Sequence, residues 1–220
     1  MKKPYIFFDF DGTVLCTNDA IVESWNHTSE HYLGHGFPRE TWEKTFGETI
    51  KYTAENFFPG VDPEEAIEIY RKYQEVNCAD MVRLFDGIRE LLDELKACGY
   101  KLALVTSRRR KSTWDYLEKF KLVDYFDVYV DCESTPAHKP DPEPLLVAIA
   151  EMSELVGREI DKSECIMLGD TRFDILCCKN AGVDSILVDW SHAIDEQQLE
   201  ELGAVPTYRC AKPADVLEIV

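Results

Sequence analysis

Seven polar side chains in this sequence stand directly after apolar segments or in the loops that follow them. They comprise four carboxylates, one ammonium group and two hydroxyls. Four carboxylates cannot all stay ionised close together without a cation, because like charges repel strongly where solvent is scarce. Oxygen ligands of this kind suit Mg²⁺, which usually binds one or two carboxylates together with substrate phosphate. The side chains are Asp9, Asp11, Thr106, Ser107, Lys139, Asp170 and Asp174.

The spacing and the types of these residues suit phosphoryl transfer, in which catalysis is mostly positioning and charge neutralisation. Lys139 supplies a compact positive charge, and the hydroxyls of Thr106 and Ser107 can donate hydrogen bonds to phosphate oxygens. Asp9 and Asp11 are two residues apart, so both side chains point to one side of an extended chain. One of them can attack phosphorus while the other donates a proton to the leaving oxygen and later deprotonates water.

The apolar segments that precede these residues predict the strands of a parallel sheet. Residues 102–105 are four consecutive apolar residues, which is typical of a strand buried on both faces. Helical segments alternate with the predicted strands from residue 86 onward, so the sequence predicts a doubly wound, Rossmann-like α/β core. Ligands of such sheets lie beyond the carboxyl ends of the strands, where the candidate residues stand. The other predicted strands span residues 4–8, 127–130, 165–168 and 185–188.

Residues 16–85 interrupt this alternation and are expected to be wholly helical. The sequence therefore predicts an α/β core of residues 1–15 and 86–220 that carries a helical cap of residues 16–85. The predicted helices begin near residues 19 and 38, at Asp62 and, after the insert, at Asp86. Asp62 can cap its helix, with Pro63 in the first position and Glu65 completing a capping box. The buried face of that helix is expected to hold Ala66, Ile69, Tyr70, Tyr73 and Val76.

Four motifs of the sequence resemble, in their residues and in their order along the chain, those of the haloacid dehalogenase-like hydrolase superfamily. The match covers nearly the whole chain. The resemblance implies that Asp9 is the nucleophile that forms an aspartyl-phosphate and that Asp11 is the general acid and base. It implies that Mg²⁺ is held by Asp9, the backbone carbonyl of Asp11 and Asp170, with Asp174 supporting it through water. It also implies that Thr106 and Lys139 hold the phosphate. The motifs are Asp9-Phe10-Asp11-Gly12-Thr13, Thr106 at the end of a strand, Lys139 in His-Lys-Pro-Asp-Pro-Glu-Pro, and Gly169-Asp170-Thr171-Arg172-Phe173-Asp174.

The helical insert directly after the first motif resembles the cap of the branch that contains phosphoglycolate phosphatases and β-phosphoglucomutases. Two details favour a phosphatase. Asp11 is present, whereas true haloacid dehalogenases lack an Asp there, and the fourth motif begins Gly-Asp where β-phosphoglucomutases usually have Glu-Asp. The resemblance thus implies a Mg²⁺-dependent phosphatase of small phosphate monoesters. The alternatives are a pyrophosphatase, a nucleotidase, a sugar-phosphate mutase or a non-catalytic phosphate-binding regulator, and the intact motif set argues against the last.

The residues that select the substrate are expected in the insert. Gly47, Glu48 and Thr49 lie where the family places its specificity loop, and Glu48 argues against a carboxylate-bearing substrate such as phosphoglycolate. Lys51 offsets the negative charge of Glu48 if both side chains point toward the substrate. If Glu48 is instead solvated, its charge does not affect which substrate binds. Arg108, in the basic run 108–111, either guides anionic substrates or lies at a solvated helix start.

Composition limits the partners of the protein. The 220 residues include 24 Lys and Arg against 42 Asp and Glu, a formal net charge of −18, which argues against nucleic-acid binding and adhesion to anionic membranes. No apolar run approaches the roughly 18 residues of a membrane span, and Asp9 interrupts the first one too early for a signal peptide. We therefore expect a cytoplasmic monomer or homodimer whose partner is a small phosphorylated metabolite. The eight cysteines form no C-x-x-C pair and are expected to be reduced and mostly buried.

Overall fold

The strands of the chain divide between a large parallel sheet and a short pair. The computed structural model describes residues 3–191, 194 and 196–220. Strands β1 and β4 to β8 form one parallel sheet in the order β5-β4-β1-β6-β7-β8, and β2 pairs with β3. The predicted α/β sheet is confirmed, and β8 adds a strand that the sequence pattern does not indicate. In chain order the strands are β1 (Tyr5–Phe8), β2 (Leu15–Cys16), β3 (Arg83–Leu84), β4 (Lys101–Val105), β5 (Val128–Val130), β6 (Cys165–Gly169), β7 (Asp184–Val188) and β8 (Tyr208–Cys210).

The chain folds as two compact units. The sheet unit consists of residues up to Val14 together with Leu84–Val220, and the helical unit consists of Leu15–Arg83. None of the helices in the described part of the chain has the length and apolar character needed to cross a membrane. The helical unit contains α1 (Asn18–Leu33), α2 (Arg39–Glu43), α3 (Ile50–Phe57) and α4 (Pro63–Asn77). The sheet unit contains α5 (Ile88–Ala97), α6 (Arg110–Lys119), α7 (Glu143–Val156), α8 (Arg172–Ala181) and α9 (Glu196–Glu201).

The register of the central strands brings the candidate residues to one edge of the sheet. Phe8 in β1 pairs with Leu104 in β4 and with Leu168 in β6. Because the strands are parallel, the residues that follow these positions emerge together at the carboxyl edge. The side chains that come directly after β1, β4 and β6 are those of Asp9, Thr106 and Asp170.

Both faces of the central strands are buried, which explains their uninterrupted apolar sequences. Phe7, Val105 and Met167 pack on one face in a buried cluster with side chains of α7 and α8. Ile6, on the opposite face of the pleated strand, is also fully buried. Each such side chain stabilises the fold by about 1.5–3 kcal/mol. The buried helical residues of the cluster are Leu145, Ala148, Ile149, Met152, Cys177, Cys178 and Ala181.

Aromatic side chains form the centre of the helical unit. Trp25 of α1 stacks on Trp42 of α2 with 5.9 Å between ring centroids, and on Phe58 with 6.0 Å. The ring of Tyr70 in α4 lies 4.3 Å from that of Trp25. Since Trp25, Trp42 and Phe58 are almost fully buried, these rings are the core of this unit.

The buried face of α4 differs from the predicted one by a rotation of about one residue. Asp62 caps the helix as expected, but its Oδ1 accepts from the backbone N–H of Glu64 at 3.0 Å instead of forming the predicted capping box with Glu65. However, Val76 is 73% exposed, and Ile69 and Tyr73 are only half-buried. Apolar spacing does not reveal this rotation, because the buried side includes the amide of Gln74, which donates to the Tyr70 hydroxyl at 2.8 Å. The buried residues are Ala66, Ile67, Tyr70 and Gln74.

Other local predictions also need correction. The segment expected to be wholly helical contains the short strands β2 and β3 near its two ends. Helix α5 begins at Ile88 with Gly87, at φ +86°, in the N-cap position, so Asp86 is not the cap. Helices α3 (Ile50–Phe57) and α9 (Glu196–Glu201) are not among the predicted helices.

Candidate active site

Asp9 is the first residue after β1, and its carboxylate is buried. Its backbone N–H donates to the carbonyl oxygen of Leu168 at 2.9 Å, so the pairing of β1 with β6 continues to this residue. Asp9 is 6% exposed, and burial raises the pKa of Asp9 to about 7 against the lowering effect of Lys139. A buried carboxyl with a shifted pKa and a cation beside it is a candidate nucleophile.

Lys139 supplies that cation. Its Nζ donates to Oδ1 of Asp9 at 2.5 Å, to Oδ1 of Asp174 at 2.6 Å and to the carbonyl oxygen of Val105 at 3.3 Å. Burial alone would lower the pKa of Lys139, but the carboxylates of Asp174 and Asp9 raise it. The ammonium group therefore stays charged, and it holds two carboxylates in fixed positions. The peptide bond between Lys139 and Pro140 is cis.

Asp170 and Asp174 complete a cluster of buried carboxylates with Asp9. One oxygen of each of the three lies within 4.8 Å of the others. Oδ2 of Asp174 accepts from the backbone N–H and the hydroxyl of Thr171, at 3.1 and 2.8 Å, which fixes it at the start of α8. Burial, and after it the charges of Asp9 and Asp174, raise the pKa of Asp170 well above its usual range. No donor among the described residues reaches Oδ1 of Asp170.

This cluster fits a hard divalent cation. Among the described residues, three buried carboxylates face one ammonium group, that of Lys139, so negative charge is in excess. A buried carboxylate oxygen without a donor is costly unless a ligand takes the place of the missing hydrogen bond. Oxygen ligands and excess negative charge are what Mg²⁺ requires. Asp9, Asp170 and Asp174 each offer one oxygen that could hold such an ion.

Two glycines let the carboxylates approach the backbone closely. A Cβ atom on Gly12, which has φ +77°, would lie 2.0 Å from Oδ2 of Asp170. A Cβ atom on Gly169 would lie 2.2 Å from Cβ of Asp174. Any side chain at these positions would displace an acidic residue of the cluster.

The hydroxyl of Thr106 lies at the end of β4. The backbone N–H of Thr106 donates to the carbonyl oxygen of Val130 at 2.9 Å, and its Oγ1 accepts from the backbone N–H of Arg108 at 3.1 Å. A hydroxyl that accepts from one partner keeps its own proton for another. Thr106 can therefore donate to a phosphate oxygen. Ser107, the next residue, is half-buried.

Asp11 forms a bidentate ion pair with Arg108. Nε of Arg108 donates to Oδ2 of Asp11 at 2.9 Å, and Nη2 donates to Oδ1 at 2.7 Å. The Arg108 side chain is only 10% exposed, so the interpretation of this residue as a solvated helix start is wrong. Arg110 and Lys111 of the same run are exposed and pair with Asp131 and Asp115.

Two residues at the carboxyl edge of the sheet are not indicated by the sequence. Ser191 donates from Oγ to Oδ2 of Asp170 at 2.7 Å, and Trp190 donates from Nε1 to the carbonyl oxygen of Thr13 at 3.0 Å. Both belong to a short 3₁₀ helix, Asp189–Ser191, that directly follows β7. Their position after a predicted strand is the signal that could have indicated them, since the ends of parallel strands share an edge.

The four residues predicted to select the substrate within the insert lie around the start of α3. Thr49 is the N-cap of this helix, and its hydroxyl accepts from the backbone N–H of Tyr52 at 3.2 Å. Gly47 precedes it with φ +83°, and Glu48 is half-buried. Nζ of Lys51 lies 4.0 Å from Glu55 with its side chain 63% exposed. Their role in specificity stays a prediction.

Comparison with known proteins shows the family to which the chain belongs. Residues 6–188 match the model of the haloacid dehalogenase-like hydrolase family. The chain belongs to this family, which confirms the resemblance seen in its motifs. The predicted class of enzyme, a phosphoric monoester hydrolase of the haloacid dehalogenase-like type, is likewise confirmed.

Similar proteins cover the chain almost completely. The chain is 33% identical over 218 residues to pyrophosphatase PpaX of Bacillus velezensis, with 97% of this chain and 94% of that protein aligned. It is 34% identical over 223 residues to pyrophosphatase PpaX of Halalkalibacterium halodurans, with 100% and 98% aligned. A solved haloacid dehalogenase-like family hydrolase of Streptococcus pneumoniae superimposes with a TM-score of 0.81 at 24% identity, covering 99% of this chain and 98% of that one. The structural likeness supports the fold.

Proposed function

We propose that this protein is a Mg²⁺-dependent phosphatase that hydrolyses small phosphate monoesters through an aspartyl-phosphate on Asp9. The observation that carries this proposal is the position of Lys139, whose Nζ lies 2.5 Å from Asp9 and 2.6 Å from Asp174. A charged ammonium group at this point neutralises part of the charge of an incoming phosphate dianion. It thereby allows the carboxylate of Asp9 to approach phosphorus.

In this proposal, Asp9 attacks phosphorus and the bond from phosphorus to the leaving oxygen breaks. Asp11 donates a proton to that oxygen. Asp11 then takes a proton from a water molecule that attacks the phosphorus of the acyl phosphate, which releases inorganic phosphate and restores Asp9. Lys139 and Thr106 hold the phosphoryl oxygens in line with the attacking carboxylate.

Asp9, the backbone carbonyl of Asp11 and Asp170 would hold the metal ion, with Asp174 supporting it through water. Two observations support a metal ion at this position. Among the described residues no donor reaches Oδ1 of Asp170, and three carboxylates are clustered there. Bound there, Mg²⁺ supplies neutralisation of the charge that develops on the phosphoryl oxygens.

Hydrolysis of pyrophosphate is the second candidate function. The relatives at 33% and 34% identity bear the name pyrophosphatase. In this chain, the guanidinium of Arg108 lies against Asp11, and such a group binds phosphate oxygens in pairs. These observations support pyrophosphate as the first substrate to test.

The partner in this proposal is a small phosphorylated metabolite. The formal net charge of −18 supports the absence of nucleic-acid and membrane partners. The cytoplasmic location and the monomeric or homodimeric state remain predictions.

The experiment is a phosphate-release screen of the purified protein with Mg²⁺ against pyrophosphate, phosphoglycolate, sugar phosphates and mononucleotides. The Asp9→Asn protein is the control, because an amide keeps the volume of the side chain without its nucleophilic oxygen. We expect steady release that needs no acceptor sugar. Efficient conversion of β-glucose 1-phosphate to glucose 6-phosphate with negligible phosphate release would indicate a mutase. No turnover of any compound would indicate a phosphate-binding regulator.

A further inference from the structure

The 3₁₀ helix after β7 contacts two loops of the candidate site. This helix, Asp189–Ser191, directly follows β7. Ser191 donates from Oγ to Oδ2 of Asp170 at 2.7 Å, and Trp190 donates from Nε1 to the carbonyl oxygen of Thr13 at 3.0 Å. Trp190 is 9% exposed and Ser191 is 5% exposed, so both bonds are shielded from solvent. The 3₁₀ helix therefore joins the loop after β6, which holds Asp170, to the loop after β1, which holds Thr13.

The backbone of the loop after β1 packs directly against Asp170. A Cβ atom on Gly12 would lie 2.0 Å from Oδ2 of Asp170, and this is the oxygen that accepts from Ser191. The Cα atom of Gly12 is therefore in contact with the carboxylate, and the loop cannot move closer to it without a clash. The hydrogen bond from Trp190 restrains the loop further, because it fixes the residue that follows Gly12.

Asp11 lies inside the restrained segment. The backbone N–H of Val14 donates to the carbonyl oxygen of Phe10 at 2.9 Å, which closes a turn that contains both Asp11 and Thr13. A bond that fixes the carbonyl group of Thr13 therefore also restrains the backbone carbonyl of Asp11. This carbonyl and the carboxylate of Asp170 are two of the groups proposed to hold the metal ion, and the 3₁₀ helix restrains both.

We infer that Trp190 is a positioning residue that fixes the backbone carbonyl of Asp11 relative to Asp170 and thereby makes the cation site selective for Mg²⁺ over larger ions. This inference rests on the proposed function, because it uses the metal ligands proposed there. Mg²⁺ requires ligand oxygens at about 2.0–2.1 Å in nearly octahedral geometry, whereas Ca²⁺ accepts flexible geometry at about 2.3–2.6 Å. Loosening the two ligands therefore costs Mg²⁺ more affinity than Ca²⁺.

The binding test measures the Kd of Mg²⁺ and the Kd of Ca²⁺ by calorimetry, with the chloride salts and without any phosphate compound. Trp190→Phe keeps an aromatic ring at this position but removes the N–H donor. We expect it to raise the Kd of Mg²⁺ by about 10- to 100-fold, as for the loss of a group that orients a metal ligand, and the Kd of Ca²⁺ by a smaller factor. Trp114→Phe is the matched control and should change neither constant, because Trp114 lies in α6 of the same unit and packs on Tyr129 with 4.9 Å between ring centroids.

A loss of Ca²⁺ affinity that equals or exceeds the loss of Mg²⁺ affinity would mean that Trp190 only supports the fold, and it would overturn the inference. Unchanged Mg²⁺ binding in Trp190→Phe, or no measurable Mg²⁺ binding to the wild-type protein, would also overturn it. If the wild-type protein binds Mg²⁺ but hydrolyses none of the phosphate compounds, the proposed function fails while the comparison of the two ions still tests Trp190.

Hydrogen exchange of the indole N–H groups in the wild-type protein gives a second test, which does not depend on the folding of a variant. If the bond from Trp190 strengthens Mg²⁺ binding, Mg²⁺ must stabilise that bond by the same factor. We expect saturating Mg²⁺ to slow exchange of the Trp190 N–H by about 10-fold or more, and saturating Ca²⁺ to slow it less. The indole N–H of Trp42, which donates to Asn26 at 2.8 Å in the helical unit, is the control and should exchange at the same rate throughout. Exchange at Trp190 that is unaffected by Mg²⁺, or slowed equally at Trp190 and Trp42, would overturn the role of Trp190.

Discussion

Ser191 donates a hydrogen bond of 2.7 Å to Oδ2 of Asp170, and no donor among the described residues reaches the other oxygen of that carboxylate. Ser191 is 5% exposed, so the bond is shielded from solvent. The carboxylate of Asp170 is therefore oriented by the protein before any cation binds. The proposed Mg²⁺ site depends on this orientation, because a bound ion needs a ligand oxygen at a defined position.

Ser191→Ala should raise the Mg²⁺ concentration needed for half-maximal activity by about 10- to 100-fold, the usual effect of losing a group that orients a metal ligand. The measurement is a Mg²⁺ titration of phosphate release. Ser185→Ala is the matched control, because the hydroxyl of this buried serine of β7 accepts from the backbone N–H of Thr207 at 3.2 Å. Equal Mg²⁺ dependence of the two variants would contradict the role of Ser191.

Gly12→Ala should lower activity by about 100-fold, because a Cβ atom there would lie 2.0 Å from Oδ2 of Asp170 and would displace it. Gly99→Ala separates this effect from backbone strain. Gly99 has φ +81°, close to the +77° of Gly12, but a Cβ atom there would meet nothing within 4 Å. Each variant should lose about 1–2 kcal/mol of stability through the left-handed backbone. If both variants keep full activity, the close approach of Gly12 to Asp170 has no part in catalysis.

Removal of divalent metal should abolish phosphate release, and added Mg²⁺ should restore it. Ca²⁺ should inhibit, because its longer bonds and higher coordination number misplace the attacking oxygen of Asp9. The assay is phosphate release after treatment with a chelator, followed by titration with each ion. Circular dichroism of the chelated protein serves as a control for folding. Full activity in excess chelator would rule out the metal site.

Asp127 should contribute stability that is lost in acid. Burial alone would raise its pKa, but the backbone N–H of Leu102 and the ammonium groups of Lys101 and Lys96 lower the pKa of Asp127. A lowered folded-state pKa means that the stabilisation is complete above the unfolded-state pKa of about 3.9 and disappears as pH falls through the folded-state value.

Urea midpoints at pH 7 and pH 3 should therefore differ less for Asp127→Asn than for the wild type. Asp115→Asn is the control, because Asp115 is 54% exposed and pairs only at the surface with Lys111. The same acid sensitivity in Asp127→Asn and the wild type would contradict this prediction.

The sequence predicts the sheet edge well because local patterns are enough to define it. Apolar runs predict β1, β4 and β6, and parallel pairing then places Asp9, Thr106 and Asp170 at one edge. The pairing of Phe8 with Leu104 and Leu168 in the structure follows this logic.

The contacts between distant side chains could not be predicted in the same way. Arg108 and Asp11 are 97 residues apart, and Ser191 and Asp170 are 21 apart. The partner of each of these side chains depends on how the loops beyond the strands fold. The periodicity of apolar residues carries no information about the conformation of these loops. The rotated face of α4 has a similar origin, since a buried hydrogen bond between Gln74 and Tyr70 replaces an apolar contact.

The most direct test of the account is to trap the covalent intermediate on Asp9. A substrate with a radiolabelled phosphoryl group is mixed with the protein and Mg²⁺, quenched in acid within one turnover and digested. We expect a hydroxylamine-sensitive label on the peptide that contains Asp9, and no such label in Asp9→Asn. The label should decay more slowly in Asp11→Asn, because the carboxylate that activates water is missing. Turnover without any labelled protein, or a label on another residue, would contradict the account.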